Sequence, residues 1–389
     1  MFLAKRGAAV ATFHAVHRSL SSPSDQTWIR HRAHLPARMS GVLHIVPRLP
    51  PAIDGLGDYA VQLSDCLATQ GLTSRFLVTD PAWKPDGTLP ASVLREPSTA
   101  ALLAALDEEQ HVLLHFVNYA YEPRRGCPNW LIDGLQQWRD QAKNRRLVVM
   151  FHELFAMGWP WRKAFWYSAA QRALSAALAR MSDACWTSNQ VYAEWLTNIL
   201  GRAIPVMPVL SNMGEPKTLT PWSQRLPAMV VFGRAVNRQR AYDQLGDHLI
   251  ALARSCGIRE LHDVGAPLSR PIQFPGLTTV THGILPTAAL SALLMRCSIG
   301  VIHNQGSPLA KSGVVAAYAA HGMAIACETR QSVHDGLVPG YNLIDLEHVA
   351  DDASLRSIAE HGHHWYHQHN RQRLGEQVAP WFHHLTQSH

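Results

Sequence analysis

The sequence predicts an α/β protein with two doubly wound domains that face each other across a cleft. Strand-like runs that are apolar at consecutive positions alternate with helix-like runs, a pattern typical of parallel sheets covered on both faces. The alternation stops at residues 211–227, which are rich in Pro, Thr, Ser and Asn, and then starts again. A chain of 389 residues with 47% hydrophobic content can also bury two cores of ordinary size.

The first half of the chain is predicted to alternate between strands and helices from residue 42 onward. Its strands are expected at 42–47, 75–79, 111–117, 147–152, 184–188 and 204–210. The helices between them are expected at 58–70, 98–109, 130–143, 171–180 and 191–200. A helix between each pair of consecutive strands indicates parallel connections.

The second half repeats this alternation after the break. Its strands are expected at 229–233, 260–265, 279–283, 299–303 and 324–327, and its helices at 242–256, 288–297 and 313–321. Open α/β sheets bind ligands beyond the carboxyl ends of their strands. The cleft between the two halves is therefore the predicted ligand site.

The positive charge is concentrated at the N-terminus. Residues 1–38 hold six Lys or Arg side chains and one Asp, so they account for +5 of the formal net charge of +6. We predict either a disordered extension there or a start codon assigned too early, with a transit-type targeting segment as a further alternative. The rest of the chain is nearly neutral, which does not support a nucleic-acid partner. Six scattered cysteines and the lack of a run of about 18 apolar residues predict a cytoplasmic protein.

The C-terminal segment 356–389 is rich in histidine. His363 and His367 could share one helix face and hold a metal ion. No carboxylate or cysteine at a matching spacing completes such a site. We therefore predict a solvated helical tail and no metal site.

The segment 308–327 is the most informative motif. Lys311, Ser312 and Gly313 open a helix of small residues, which ends at Gly322 before an apolar strand. A helix start leaves free backbone N–H groups and the positive end of the helix dipole, here beside a lysine. These three residues are predicted to bind a diphosphate. The alternative is an ordinary crossover helix capped by Ser312.

A glycine loop that contains Gly55 and Gly57 follows the first strand and forms a GxGxxA string. Residues 48–54 separate it from the strand, and no acidic residue ends the second strand as a dinucleotide site requires. We predict a mobile loop whose backbone approaches a ligand phosphate closely. A nicotinamide cofactor site and a plain turn remain the alternatives.

The polar pair His152 and Glu153 stands at the carboxyl end of an apolar strand. Such a position points into the predicted cleft, where the surroundings can shift both pKa values. We predict that His152 hydrogen-bonds a ligand hydroxyl and that Glu153 orients it or holds a proton. The alternative is a histidine satisfied by backbone carbonyls.

A basic turn follows the first strand of the second half. Gly233 and Arg234 come directly after that strand, so the Arg234 guanidinium is predicted to bind a diphosphate through two hydrogen bonds. Arg238 or Arg240 could add a second positive group. Each arginine could instead be a solvated charge at a helix start.

The segment 158–167 combines five aromatic side chains with two cations. It could line an acceptor pocket by stacking, or touch a membrane surface. Packing of a loop over the core is the alternative that we favour.

These motifs, in this order, resemble the glycosyltransferases of the GT-B fold, near the family-4 group, over residues 40–350. The resemblance includes the glycine loop, the His152–Glu153 pair, residues 211–216, the Gly233–Arg234 turn and the block 282–327. It implies a Rossmann-like acceptor domain at 39–212, a linker at 213–227 and a Rossmann-like nucleotide-sugar domain at 228–355.

The resemblance also implies an activity. The expected reaction transfers a hexose from a nucleotide-sugar donor to a glycan or lipid-linked acceptor, with retention of configuration and without a metal or cofactor. Bacterial polysaccharide biosynthesis is the expected setting, and peripheral contact with the inner face of the membrane stays open. The diphosphate would lie on Arg234, Arg238 and Lys311, and the donor sugar on His152.

Two positions depart from the family pattern. The family's Glu–x7–Glu pair, which holds sugar and ribose hydroxyls, corresponds to Pro308 and Ala316, and a lysine that often follows the Gly-Arg turn corresponds to Gln239. These departures support a second hypothesis, a catalytically inactive GT-B-like binding or assembly partner. A nicotinamide-dependent oxidoreductase is the third.

Overall fold

The computed structural model describes residues 41–52, 55–156, 163–303, 308–328, 335–346 and 352–383. The predicted N-terminal extension, residues 1–38, lies outside these ranges, as does the first half of the aromatic segment, residues 158–162. Within them, no helix is both long enough and apolar enough to cross a bilayer.

The first sheet consists of six parallel strands in the order β3–β2–β1–β4–β5–β6. Its strands are β1 (Gly41–Val46), β2 (Thr73–Val78), β3 (Ala91–Val93), β4 (His111–Phe116), β5 (Arg146–Phe151) and β6 (Ala184–Thr187). The helices of this part are α1 (Gly55–Ala68), α2 (Thr99–Leu106), α3 (Asn118–Tyr121), α4 (Asn129–Asp140), α5 (Lys163–Met181) and α6 (Gln190–Leu200).

The second sheet is also parallel, in the order β12–β11–β10–β7–β8–β9. Its strands are β7 (Leu226–Phe232), β8 (Glu260–Val264), β9 (Thr278–Gly283), β10 (Cys297–Ile302), β11 (Ala324–Cys327) and β12 (Ile344–Asp345). Its helices are α7 (Ala235–Ser255), α8 (Thr287–Arg296) and α9 (Gly313–Ala320), and a short 3₁₀ turn, Leu309–Lys311, precedes α9.

The two sheets confirm the predicted fold class of two doubly wound α/β domains. In each sheet the strand order changes direction between two neighbouring central strands. These are β1 and β4 in the first sheet and β7 and β10 in the second. Every residue of β4 is buried, because helices cover both faces of the sheet. Loops that leave the carboxyl ends of these central strands form the crevice in which such folds bind ligands.

The predicted strand at 204–210 was wrong. The structure has only an isolated parallel bridge between Thr187 and Val206 in this segment. Pro205 and Pro208 explain the difference, since neither has a backbone N–H to donate to a ladder. The prediction also missed β3 and β12, which are edge strands of three and two residues.

As far as residue 383, where its described part ends, the C-terminal segment is not a solvated tail. It forms α10 (Asp352–His367), α11 (Arg371–Val378) and α12 (Pro380–His383). Helix α10 packs against α9 and β11, whereas α11 packs against α1 of the first sheet. Leu374, Val378 and Phe382 are buried there, so apolar residues at helical spacing decide the position of this segment rather than its histidines.

The two histidines considered for a metal have other contacts. The His363 ring packs edge-on against that of His367, and its Nδ1 lies 2.9 Å from the carbonyl oxygen of Ala319. In the described part of the chain, no group of three or more His, Cys, Asp or Glu side chains could hold a metal ion.

Candidate functional site

A cavity of about 660 Å³ lies between the carboxyl ends of the two sheets. Six of the predicted site residues line it: Gly55, His152, Glu153, Arg234, Lys311 and Gly313. They come from both domains and are separated by up to 258 positions in the chain. The structure thus brings most of the predicted site together at one place.

Three helices of eight or more residues begin at this cavity. Gly55 is the first residue of α1, Arg234 precedes the first residue of α7, and Gly313 is the first residue of α9. The unpaired backbone N–H groups and the positive dipole end of each helix favour an anion there. The cations Arg48, Arg234 and Lys311 line the same space and outnumber its two carboxylates, Asp58 and Glu153, so the cavity suits a ligand that carries negative charge.

Lys311 stands between the two domains. Its Nζ lies 3.7 Å from the Glu153 carboxylate and 5.3 Å from the centre of the Tyr192 ring, both of which belong to the first domain. Burial lowers the pKa of Lys311, and the Glu153 carboxylate opposes that change. A ligand phosphate could replace Glu153 as the partner of this ammonium group, because Glu153 is half-exposed.

His152 faces the cavity from the end of β5. Its Nε2 lies 3.2 Å from Nδ1 of His115, and its ring packs edge-on against Tyr59. Burial, together with the nearby charge of Lys311, lowers the pKa of His152 to about 3. The imidazole is therefore neutral near pH 7 and can form a directed hydrogen bond with a ligand oxygen.

The contacts of Glu153 do not support its predicted orienting role. Its carboxylate is directed to Lys311, and the hydrogen-bond partner of the His152 ring in the described structure is His115. His115 lies on β4, next to β5, and thus holds the ring from inside the sheet. Glu153 still lines the cavity and can contact a ligand directly.

Arg238 does not reach the cavity, contrary to the prediction. Its side chain is 1% exposed, and it forms an ion pair with Asp263. Its Nε donates to the carbonyl of Gly233 at 3.0 Å, and its Nη2 donates to the carbonyl of Ala266. Arg238 therefore holds the turn that carries Arg234 against the loop after β8, and its donors are not available to a diphosphate.

Gly265 allows this close contact. It has a φ of +147°, and a Cβ atom at this position would lie 2.5 Å from the Gly233 carbonyl oxygen and 2.8 Å from Nε of Arg238. A side chain there would displace the turn. The basic turn that the sequence predicts thus depends on a glycine 32 residues later in the chain.

Replacement of Arg238 by methionine tests its structural role. Asp263 would keep the Tyr242 hydroxyl as a donor at 2.6 Å but would lose its charge partner inside the core. The expected loss is about 3 kcal/mol in the free energy of unfolding, measured by urea denaturation. An Arg238→Met variant that keeps parental stability but loses donor affinity would restore the predicted diphosphate-binding role.

Gly57 and Ser312 support the site from outside the cavity. A Cβ atom on Gly57 would lie 2.6 Å from the Arg48 carbonyl oxygen, so this glycine lets α1 approach the loop after β1. The Ser312 hydroxyl accepts a hydrogen bond from the backbone N–H of Val315 and caps α9. The capping alternative is therefore the observed role of Ser312, while Lys311 and Gly313 line the cavity.

Several cavity residues were not predicted. They are Arg48, Leu56, Asp58, Tyr59, Gln62, Val117, Ala120, Ser188, Val209, Leu210 and Asn212. Arg48 and Ser188 follow the carboxyl ends of β1 and β6 by one or two residues, which is the same signal that identified His152. Tyr59 and Gln62 lie one helical turn apart on α1, and no local pattern separates them from ordinary core residues.

No protein-family model matches this sequence, and no curated protein sequence matches it significantly. Solved structures do match the fold. The structure of Anabaena HepE in complex with UDP aligns with a TM-score of 0.55 and 14% identity, over 88% of this chain and 99% of that chain.

Two further solved structures align comparably. WaaG, a glycosyltransferase involved in lipopolysaccharide biosynthesis, has a TM-score of 0.54 and 13% identity, over 88% of this chain and 100% of that chain. The α-glucosyltransferase AGT in complex with UDP has a TM-score of 0.53 and 10% identity, over the same shares of the two chains. These alignments each cover 88% of this chain, and the two facing Rossmann-like domains of this chain have the GT-B fold.

Proposed function

We propose that this protein transfers a sugar from a uridine diphosphate sugar to an acceptor hydroxyl. The observation that carries the proposal is the convergence of Arg234, Lys311 and the starts of α7 and α9 on one cavity between the domains. Its volume of about 660 Å³ lies within the range of small-molecule sites. The choice of uridine rests on the aligned HepE and AGT structures, which contain UDP.

In the proposed reaction the diphosphate is the leaving group. As the bond between the anomeric carbon of the sugar and the β-phosphate oxygen breaks, negative charge develops on that phosphate, and Arg234, Lys311 and the α9 N-terminus would stabilise it. The acceptor hydroxyl oxygen bonds to the anomeric carbon, and its proton passes to the departing β-phosphate. The cations are already in position, so little reorganisation is needed when the bond breaks. His152 would hold the sugar ring through a hydrogen bond to one of its oxygens.

The finer properties follow from the resemblance to the family-4 group. We propose retention of anomeric configuration, no requirement for a metal ion or cofactor, and a glycan or lipid-linked acceptor on the side of the first domain. Bacterial polysaccharide assembly is the proposed setting. Closure of the domains over the cavity would exclude water and limit donor hydrolysis.

The first test measures donor binding with the full chain. Thermal unfolding should be recorded with UDP-, GDP-, ADP- and TDP-sugars, each at about 100 times the Kd expected for the site. A bound donor raises the free energy of unfolding by RT ln(1 + [L]/Kd), which is about 2.7 kcal/mol at that ratio. We expect UDP-glucose to produce the largest shift and NAD or NADP to produce none.

The second test measures turnover. UDP release with glycan and lipid-linked acceptors present would support transfer, and the anomeric configuration of the product would test retention. Tight UDP-sugar binding without UDP release would instead favour the inactive binding partner, which the absence of carboxylates at Pro308 and Ala316 motivates. Ala316 is buried in the hydrophobic core of the second domain, so its replacement by Glu would not restore a ligand contact.

A further inference from the structure

Three histidines form a continuous hydrogen-bonded chain through the first sheet to the cavity. Nδ1 of His44 lies 3.2 Å from Nε2 of His115, and Nδ1 of His115 lies 3.2 Å from Nε2 of His152. Neighbouring rings are nearly parallel, with interplanar angles of 22° and 25°. Only His152, at the end of this chain, lines the cavity.

The strand order of the sheet creates the chain. His44 lies on β1, His115 on β4 and His152 just after β5, and these three strands are neighbours in the sheet. His44 is level with Leu113, and His115 is level with Met150, so each imidazole lies two residues further along its strand than the one before. A step of two residues keeps all three rings on one face of the sheet.

Each ring in the chain is neutral. His44 and His115 are fully buried, and burial lowers the pKa of both, to about 3 for His44. Tyr59 packs edge-on against His115 and His152, and Phe76 packs beside His44, so no carboxylate faces the chain in these contacts. A neutral imidazole has one N–H and one acceptor nitrogen, so a proton position on one ring determines those on the next.

The environment of His44, at the inner end of the three histidines, determines the direction in which their hydrogen bonds are donated. Nε2 of His44 is buried and has no hydrogen-bond partner among the described residues. An N–H placed there would be a buried donor without an acceptor, and buried orphaned N–H groups are rarer than orphaned acceptors. The proton of His44 therefore belongs on Nδ1, which donates to His115, and His115 in turn donates from its Nδ1 to His152.

We propose that His44 and His115 are positioning residues that keep His152 in the tautomer whose Nδ1–H faces the cavity. His152 then acts as a hydrogen-bond donor to an oxygen of the bound sugar and cannot accept a hydroxyl proton. The identity of the ligand rests on the proposed function. The tautomer of His152 does not rest on the proposed function, because it follows from the protein's own residues alone.

The test is ¹⁵N NMR of the full chain labelled at its histidine rings, at a pH near 7.5. The signals of His152 are assigned by their loss in His152→Gln. We expect a protonated Nδ1 and an unprotonated Nε2 for His152. An unprotonated Nδ1 in the parent protein overturns the inference, whether or not any donor binds.

Two variants of His44 provide the matched comparison. His44→Asn keeps an amide N–H where Nδ1 donates, so the His152 tautomer and the Kd for UDP-glucose should stay close to those of the parent. His44→Leu removes the donor, so His152 should show mixed protonation and UDP-glucose should bind about tenfold more weakly.

The outcomes separate the two proposals. Equal tautomer populations in the asparagine and leucine variants would overturn the role of His44. If the leucine variant does not fold, the parent spectrum still tests the tautomer of His152. His44→Gln, whose amide lies where Nε2 does and so supplies no donor at the Nδ1 position, then replaces leucine in the comparison. A parent that shows the expected tautomer but does not bind UDP-glucose would overturn the proposed donor and leave the positioning role of the histidines supported.

Discussion

Replacement of Lys311 by alanine is expected to lower kcat/KM for sugar transfer by roughly 10²- to 10³-fold, which corresponds to about 2.7–4 kcal/mol of lost transition-state stabilisation. Lys311 lines the cavity beside the start of α9, where the charge of the leaving diphosphate would develop. Steady-state kinetics of UDP release would measure the change. A fall in kcat would indicate that the ammonium group acts mainly in the transition state.

Stability should change little in this variant. Glu153 loses its partner, but its side chain is 53% exposed, so the cost in the free energy of unfolding is expected to be about 1 kcal/mol or less. Arg270→Ala is the matched control, because Arg270 is an exposed cation of the same domain outside the cavity. Parental activity in Lys311→Ala, or equal losses in both variants, would remove Lys311 from the proposed site.

Acid is expected to destabilise the fold steeply below pH 6.5. Burial lowers the pKa of His44 and His369 to about 3 and that of His321 to about 4, and all three side chains are less than 9% exposed. In the unfolded chain these rings titrate near 6.5. As the pH falls below 6.5 the unfolded state therefore binds protons that the folded state does not, and the free energy of unfolding decreases.

The size of the effect follows from proton linkage. Each such histidine contributes up to about 1.4 kcal/mol per pH unit, so the three together contribute up to about 4 kcal/mol per pH unit between pH 6 and 4. Urea unfolding at a series of pH values would measure this slope. His369→Gln removes one titrating ring and should reduce the slope by up to about 1.4 kcal/mol per pH unit. A stability that does not change from pH 7 to 5 would contradict the neutral state of these histidines.

Local pattern was sufficient to predict most of the fold. Strands such as β4 and β5 are apolar at every position because both of their faces are covered, and this property is visible without any knowledge of their neighbours. The incorrect and missed strands also have causes in the local sequence. Prolines interrupt the apolar run at 204–210, and β3 and β12 are too short to show a period.

Part of the site could also be predicted from local pattern. His152, Arg234 and Lys311 each follow a strand or open a helix, and such ends of elements converge in a doubly wound fold. The position of a residue in the chain does not reveal where its side chain points, however. Arg238 lies one helical turn after Arg234 but turns inward to Asp263, and only the contact between α7 and β8 decides this.

The amino-acid sequence therefore specifies the parts of this protein that depend on neighbours along the chain: its strands, its helices and the basic turns at their ends. Folding specifies what depends on partners far away in the chain. His44 and His115 are 71 residues apart, and His115 and His152 are 37 apart, yet they form one hydrogen-bonded chain because β1, β4 and β5 lie side by side. The order of strands in a sheet is set by global packing, so no local pattern could have predicted that chain.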